Sequence, residues 1–203
     1  RIPYATARDG LRYNFWRDEA NPRGVLRRTT EASYRTAKPV WETLLNLDAL
    51  AEEEGENWVY KGYISAASLP DRILLRLSRG GADATEIREF DLSKKAFVAD
   101  GFFVPEAKTR IAWYDRDTLL IATDTGPGTL TESGYPRQIR KWKRGTALDD
   151  APIVMEGAIK DIGIGISTDL TDGHEVVIAS NAITFYEAEY FLEQKGKWLK
   201  PVS

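Results

Sequence analysis

The chain has 203 residues, 42% hydrophobic and 29% charged, with a formal net charge of −3. This length suits one substantial domain or two small ones, and the acidic balance disfavours nucleic acid and anionic membranes as main partners. The absence of cysteine excludes disulfides, thiolate catalysis and cysteine-based zinc sites, and no apolar run approaches the roughly 20 residues that cross a bilayer.

In chain order, Ile2 to Ala7 reads as a short strand, Asp9-Gly10 as a tight turn and Leu11 to Arg17 as a second strand. Leu11, Tyr13 and Phe15 share one face of it. Pro22-Arg-Gly24 marks the next turn, before strands at Val25 to Thr30 and Trp41 to Leu45. Asp48 to Glu54 is helical, capped by Asn46 or Asp48 and ended by Gly55. Its acidic composition predicts a surface turn, not a core helix.

A second unit runs from about Trp58 to Asp100. Ile73, Leu75 and Leu77 alternate with mostly polar neighbours, Gly80-Gly81 turns the chain, and Thr85 to Leu92 and Ala96 to Ala99 follow as strands. The third unit spans about Lys108 to Gly157, and its insertion from Gly126 to Pro136 is too rich in glycine and proline for a strand. The fourth starts at Asp161. Ile162, Ile164 and Ile166 alternate there with Gly163 and Gly165, which suits an innermost strand crowded near an axis. Strands at His174 to Ser180, Thr184 to Leu192 and Trp198 to Val202 complete it.

Asp9-Gly10, Asp71, Asp117 and Asp172-Gly173 anchor corresponding turns in the four units. All-strand repeats of roughly 50 residues suggest propeller blades, because one four-stranded sheet cannot bury both faces alone. The expected fold is all-β: one partial β-propeller domain over 1–203, with four-stranded antiparallel blades at about 2–47, 58–100, 108–157 and 161–203.

The search for chemistry is mostly negative. Ser65 and Ser133 lack the Gly-x-Ser-x-Gly frame of a nucleophile elbow. His174, the one histidine, follows Asp172-Gly173 and reads as a solvated turn residue instead of a general base. Glu52, Glu53, Glu54 and Glu56 lack the alternating spacing of a calcium loop and read as a solvated acidic surface. No metal and no cofactor is expected. Arg137 to Arg144 interleaves five cations with Trp142, a pattern that pairs phosphate contact with base stacking. Cations on an exposed edge strand are the simpler account.

The opening Ile2-Pro-Tyr-Ala-Thr-Ala-Arg-Asp-Gly-Leu-Arg-Tyr-Asn-Phe-Trp16, followed by Asn21-Pro-Arg-Gly-Val-Leu-Arg27, resembles the first propeller blade of the prolyl oligopeptidase family of serine peptidases. Leu77-Ser-Arg-Gly-Gly-Ala-Asp83, Glu89-Phe-Asp-Leu92, Tyr135-Pro-Arg137 and Lys141-Trp-Lys-Arg-Gly145 look like its successive blades. The resemblance implies a seven-bladed propeller that gates access of short peptides to an α/β-hydrolase domain bearing a Ser-Asp-His triad. About four blades are present here, so no triad residue maps onto this chain, which reads as a piece of something longer and is expected to be inactive alone. Some family propellers contribute substrate-binding side chains. The candidates here are Arg110 and Trp113, with core packing the simpler role for Trp113.

The expected partners are the missing blades and the hydrolase domain of the parent chain, and short peptides in the intact enzyme. Neither nucleic acid nor membrane is expected, and the expected setting is soluble and cytoplasmic. Open blade faces predict self-association, with Ile162, Ile164, Ile166, Val176, Ile178, Tyr186 and Tyr190 on the last blade. The alternative is a free-standing propeller-like interaction module.

Overall fold

The computed structural model describes residues 4–171 and 174–200. The chain divides into two compact units, one on 1–63 and 70–103, the other on 64–69 and 104–203. The fold is all-β, a partial β-propeller of antiparallel meanders.

In the first unit, β1 (Thr6–Arg8), β2 (Leu11–Trp16), β3 (Val25–Thr30) and β4 (Glu42–Asn46) form one sheet in sequence order. Asp9 and Gly10, with φ of 49° and 72°, turn β1 into β2, the positive φ pair that suits a two-residue hairpin. The second sheet orders β5 (Trp58–Ser65), β6 (Arg72–Arg79), β7 (Thr85–Asp91) and β8 (Ala96–Phe97). A further strand, β9 (Phe103–Ala107), lies where the sequence predicts only a connection. The predicted alternation holds. Tyr13, Leu26 and Leu44 of the first sheet pack against Ile73, Leu75 and Phe90 of the second.

Among the described residues, two helices interrupt the meanders. The four-residue α1 (Glu31–Tyr34) is absent from the sequence expectation; Thr30 caps it by accepting from the Ser33 N–H. Glu31 on this turn bonds the guanidinium groups of Arg12 and Arg35, in that order of strength, and its pKa falls from 4.5 to about 2. A depressed folded-state pKa gives stability that is complete above the unfolded value and lost as pH falls through the folded one. The side-chain carboxyl carbon of Glu31 is therefore expected to titrate near pH 2, moving toward 4.5 in Arg12→Met. A midpoint unchanged by that substitution would remove Arg12 as the cause.

The second helix, α2 (Leu47–Glu54), begins as expected: Asn46 accepts from the Asp48 and Ala49 N–H groups, and Gly55 closes it with φ of 66°. The expectation of a surface turn fails. Leu47, Leu50 and Ala51 are buried against Trp58 and Leu77, because their three- and four-residue spacing gives even a short acidic helix an apolar stripe. Its acidic end is not merely solvated either. Glu54 pairs with Arg88 at 2.6 Å and accepts the Trp58 indole N–H at 2.7 Å. The Arg88 hydrogen bond holds its carboxyl below the ordinary range. Glu56 pairs with Arg79 at 3.0 Å.

In the second unit, the third sheet orders β10 (Arg110–Asp115), β11 (Thr118–Ala122), β12 (Gln138–Lys143) and β13 (Ile153–Glu156). The fourth orders β14 (Gly163–Thr171), β15 (His174–Ala182), β16 (Ala188–Gln194) and β17 (Lys197–Leu199). Ala112, Leu120, Ala122 and Ile139 pack there against Ile164, Val177 and Ala179.

Three sequence expectations change in this unit. The basic run is an interior strand, β12 between β11 and β13, and not an edge. Trp142 is buried in it, its indole N–H donating to the Thr146 carbonyl at 2.8 Å. Arg137 pairs with Glu156 and Arg144 with Asp117. Arg140 donates to the Ala151 carbonyl, and Lys141 lies 3.5 Å over the Tyr114 ring. These cations serve neighbours within the fold, leaving no stacking surface at Trp142.

Second, Thr184 to Glu187 is a turn and not the start of a strand. The Thr184 hydroxyl accepts from the Tyr186 and Glu187 N–H groups, a local alternative to ladder pairing. Third, the fourth sheet does not leave all its predicted apolar residues uncovered. Ile164 is buried and Ile166 packs beside it against the third sheet. The open face carries Val176, Ile178, Tyr190, Leu192 and Leu199. The Asp172-Gly173 turn and the ends of the predicted strands at Ile2 and Val202 lie outside the described residues.

Candidate functional site

Arg110 opens β10, the first strand of the third sheet, paired with Ala122 of β11. Period-2 alternation sets Arg110, Ala112 and Tyr114 on one face, the face that meets the fourth sheet. Beyond it the buried Thr109 and Thr123 hydroxyls share a 2.7 Å hydrogen bond that closes the end of the hairpin. Arg110 is half-buried, and among the described residues its guanidinium has no ion-pair or hydrogen-bond partner. A guanidinium taken part-way out of water without a counter-ion is costly, so its position calls for an acceptor.

The glycine- and proline-rich insertion folds over this end of the sheet. Asp124 accepts from the Gly126 N–H at 3.0 Å, and the Thr129 hydroxyl lies 2.7 Å from the Gly126 carbonyl. The Thr131 hydroxyl donates to the Ile162 carbonyl and the Glu132 N–H to that of Ile159, fixing the insertion on the link into β14. A cleft of about 340 Å³ remains, with Lys108, Asp124 and Leu130 in its wall. Lys108 sits 4.5 Å over the Tyr135 ring. The loop turn into β16 displays Phe185 and Tyr186, 92% and 99% exposed.

The structure does not bring Arg110 and Trp113 together. Trp113 lies on the opposite face of β10, 3% exposed, and its indole N–H donates to the Ile64 carbonyl at 3.3 Å. Sequence reasoning missed Lys108, Asp124 and Tyr135, whose approach depends on how the insertion folds back. The Phe185-Tyr186 pair had a readable signal, two aromatics beside a threonine able to cap a turn. His174 is exposed at the start of β15. Among the described residues, no three His, Asp or Glu side chains converge as a metal site, and no helix is long and apolar enough to cross a membrane.

Residues 1–200 match the family described as prolyl oligopeptidase, N-terminal beta-propeller domain. The chain belongs to this family. The prolyl oligopeptidase propeller has curated relatives in two uncharacterized peptidases. That of Sinorhizobium fredii is 38% identical over 192 residues, covering 94% of this chain and 26% of the relative. That of Rickettsia prowazekii is 33% identical over 208 residues, covering 97% and 29%. A solved post-proline cleaving enzyme from Rickettsia typhi superposes with a TM-score of 0.89 at 31% identity, covering 98% of this chain and 31% of that one. Oligopeptidase B from Leishmania major shares the fold, with a TM-score of 0.71 at 13% identity, over 98% and 27%. The propeller chain thus spans between about a quarter and a third of the length of these proteins.

Proposed function

We propose that this chain gates access of short peptides to the active site of a prolyl-oligopeptidase-like serine peptidase that cleaves after proline. The α/β-hydrolase domain and the remaining blades are its partners, outside this sequence. The reading rests on Arg110, a half-buried cation whose side chain has no acceptor among the described residues, on the first strand of its sheet. In a propeller such strands surround the central channel. Arg110 there donates to a carbonyl or carboxylate of the entering peptide, while Trp113 holds β10 in place.

The test uses the full-length protein. It is expected to hydrolyse a short proline-containing peptide and to spare the same sequence inside a long unfolded polypeptide. Arg110→Met is expected to raise KM about tenfold with little change in kcat, as for loss of one charge-assisted contact made equally in ground and transition states. Equal turnover of short and long substrates would overturn gating, and an unchanged KM would remove Arg110 from it. The 203-residue chain alone is expected to show no peptidase turnover and no labelling by a fluorophosphonate probe. Labelling that survives purification would contradict this.

A further inference from the structure

Lys108 and Arg110 stand at the head of β10, two residues apart. Thr109, between them, points to the opposite side, where its hydroxyl bonds that of Thr123. Alternation therefore sends Lys108 and Arg110 to one side of the chain, the side that meets the fourth sheet. The contacts of Lys108 agree. Its ammonium lies 4.5 Å over the Tyr135 ring. Tyr135 in turn packs on Gly163, the first residue of β14, where an added methyl group would lie 2.7 Å from Tyr135 Cβ. The two cations thus sit where the first strands of the third and fourth sheets begin.

Neither charge is answered within the chain. Among the described residues, neither the Lys108 ammonium nor the Arg110 guanidinium has an ion-pair or hydrogen-bond partner, and both side chains are half-buried. Two residues along a strand are about 7 Å apart, so the like charges also repel. Asp124 shares the cleft wall with Lys108, but its Oδ1 accepts from the Gly126 N–H at 3.0 Å and lies 3.1 Å from the Thr129 hydroxyl. Other cations of the same sheet are neutralised: Arg137 by Glu156 and Arg144 by Asp117. A chain of net charge −3 therefore keeps two unanswered cations side by side at the head of one strand.

We infer that Lys108 and Arg110 together bind a carboxylate of the entering peptide, so that the substrates are short peptides carrying a free carboxylate at or beside their C-terminal end. The inference rests on the gating reading and names the substrate class it admits. A lone carbonyl would satisfy Arg110 and leave the charge of Lys108 unpaired. A carboxylate, with its charge and two oxygens, answers both. The guanidinium meets it through two parallel hydrogen bonds, and the ammonium adds a point charge beside it. The Tyr135 ring holds Lys108 before the ligand arrives, so less side-chain freedom is lost on binding. The interior of a long polypeptide has no terminal carboxylate to offer, so the same pair favours short peptides.

The test compares three short proline-containing peptides on the full-length protein: one with a free C-terminal carboxylate, its C-terminal amide, and that amide with glutamate as its last residue. The free acid is expected to have a KM about tenfold below that of the plain amide, with similar kcat. The glutamate amide tells the sources apart: matching the free acid supports recognition of any carboxylate near the end, and matching the plain amide supports recognition of the C-terminus itself. Arg110→Met and Lys108→Met are each expected to cut the acid-to-amide preference to about threefold, and the double variant to erase it. Lys108→Arg is expected to keep it. Circular dichroism checks that each variant is folded, and calorimetry with the same peptides gives the preference as a ratio of Kd without turnover. Equal binding of acid and amide, or a preference that survives in the double variant, would overturn the inference. So would an Arg110→Met protein whose KM rises alike for acid and amide, an outcome that leaves gating standing. Equal turnover of short and long substrates would instead overturn gating and leave the carboxylate site in place.

Discussion

The 203-residue chain is expected to self-associate reversibly in the micromolar range, through the open face of its fourth sheet. On that face Ile178 pairs with Leu192, and Leu192 with Leu199, an apolar row across three strands. Val176 and Tyr190 extend it, and Tyr190, Leu192 and Leu199 are 56%, 37% and 45% exposed. Covering apolar surface gains roughly 25 cal/mol per Å². Four strands about 4.8 Å apart and about seven residues long present roughly 450 Å² per copy. That is below the roughly 800 Å² per partner of a stable interface, so the association is weak. The first sheet's outer face offers no comparable apolar row, so two copies are expected to pair fourth sheet to fourth sheet about a two-fold axis. Sedimentation equilibrium across a concentration series checks this. Ile178→Lys, with a charge in the middle of the row, is expected to remain monomeric with unchanged circular dichroism. A wild-type chain that is monomeric at every concentration would refute the proposal.

Gly24→Ala is expected to destabilise the fold by about 3 kcal/mol, combining left-handed backbone strain with overpacking. Gly24 has φ of +108°, and a methyl group there would lie 2.5 Å from Phe15 Cζ and 2.9 Å from Arg17 Cγ. Phe15 cannot easily yield, because its ring stacks on Tyr60 at 4.0 Å. The backbone is equally committed: the Gly24 N–H donates to Asp48, and its carbonyl accepts from the Leu47 N–H at 2.9 Å. Gly10→Ala separates the two causes. Gly10 has φ of +72° with nothing within 4 Å of the added carbon, so only backbone strain remains, about 1 kcal/mol. Urea denaturation of both variants is the measurement. Equal losses would show that the Phe15 contact is relieved at little cost.

Much of the fold was legible in local pattern. The alternation at Leu11, Tyr13 and Phe15, and at Ile73 and Leu75, predicted which residues meet between the first two sheets. The Asp9-Gly10 turn is legible for a related reason: a two-residue reversal needs positive φ, and this pair supplies it. Less legible was β7, where Glu86, Glu89 and Asp91 are nearly as buried as Phe90. Glu86 is tolerated because Arg79 and Arg88 reach it, and Glu89 because Arg72 and the Phe102 N–H do. No spacing rule within one strand announces such partners. The candidate site was legible to the same limited extent. Arg110 stood out as a cation opening a strand, but the cleft walled by Lys108, Asp124 and Leu130 exists only once the insertion folds back.

The sequence by itself determined the strand period, most turns, both ends of α2 and, by resemblance, the family. Each depends on sterics and hydrogen bonds between residues a few positions apart, or on side-chain order along the chain. Tertiary structure decided which faces are covered and which charges are answered. It put Ile164 inside and Ile178 outside, made the basic run an interior strand, and paired Arg28 while leaving Arg27 stacked on the Trp16 and Trp41 indoles. The burial and pairing of a side chain depend on groups from other strands, so identical local patterns reach opposite ends according to what packs against them.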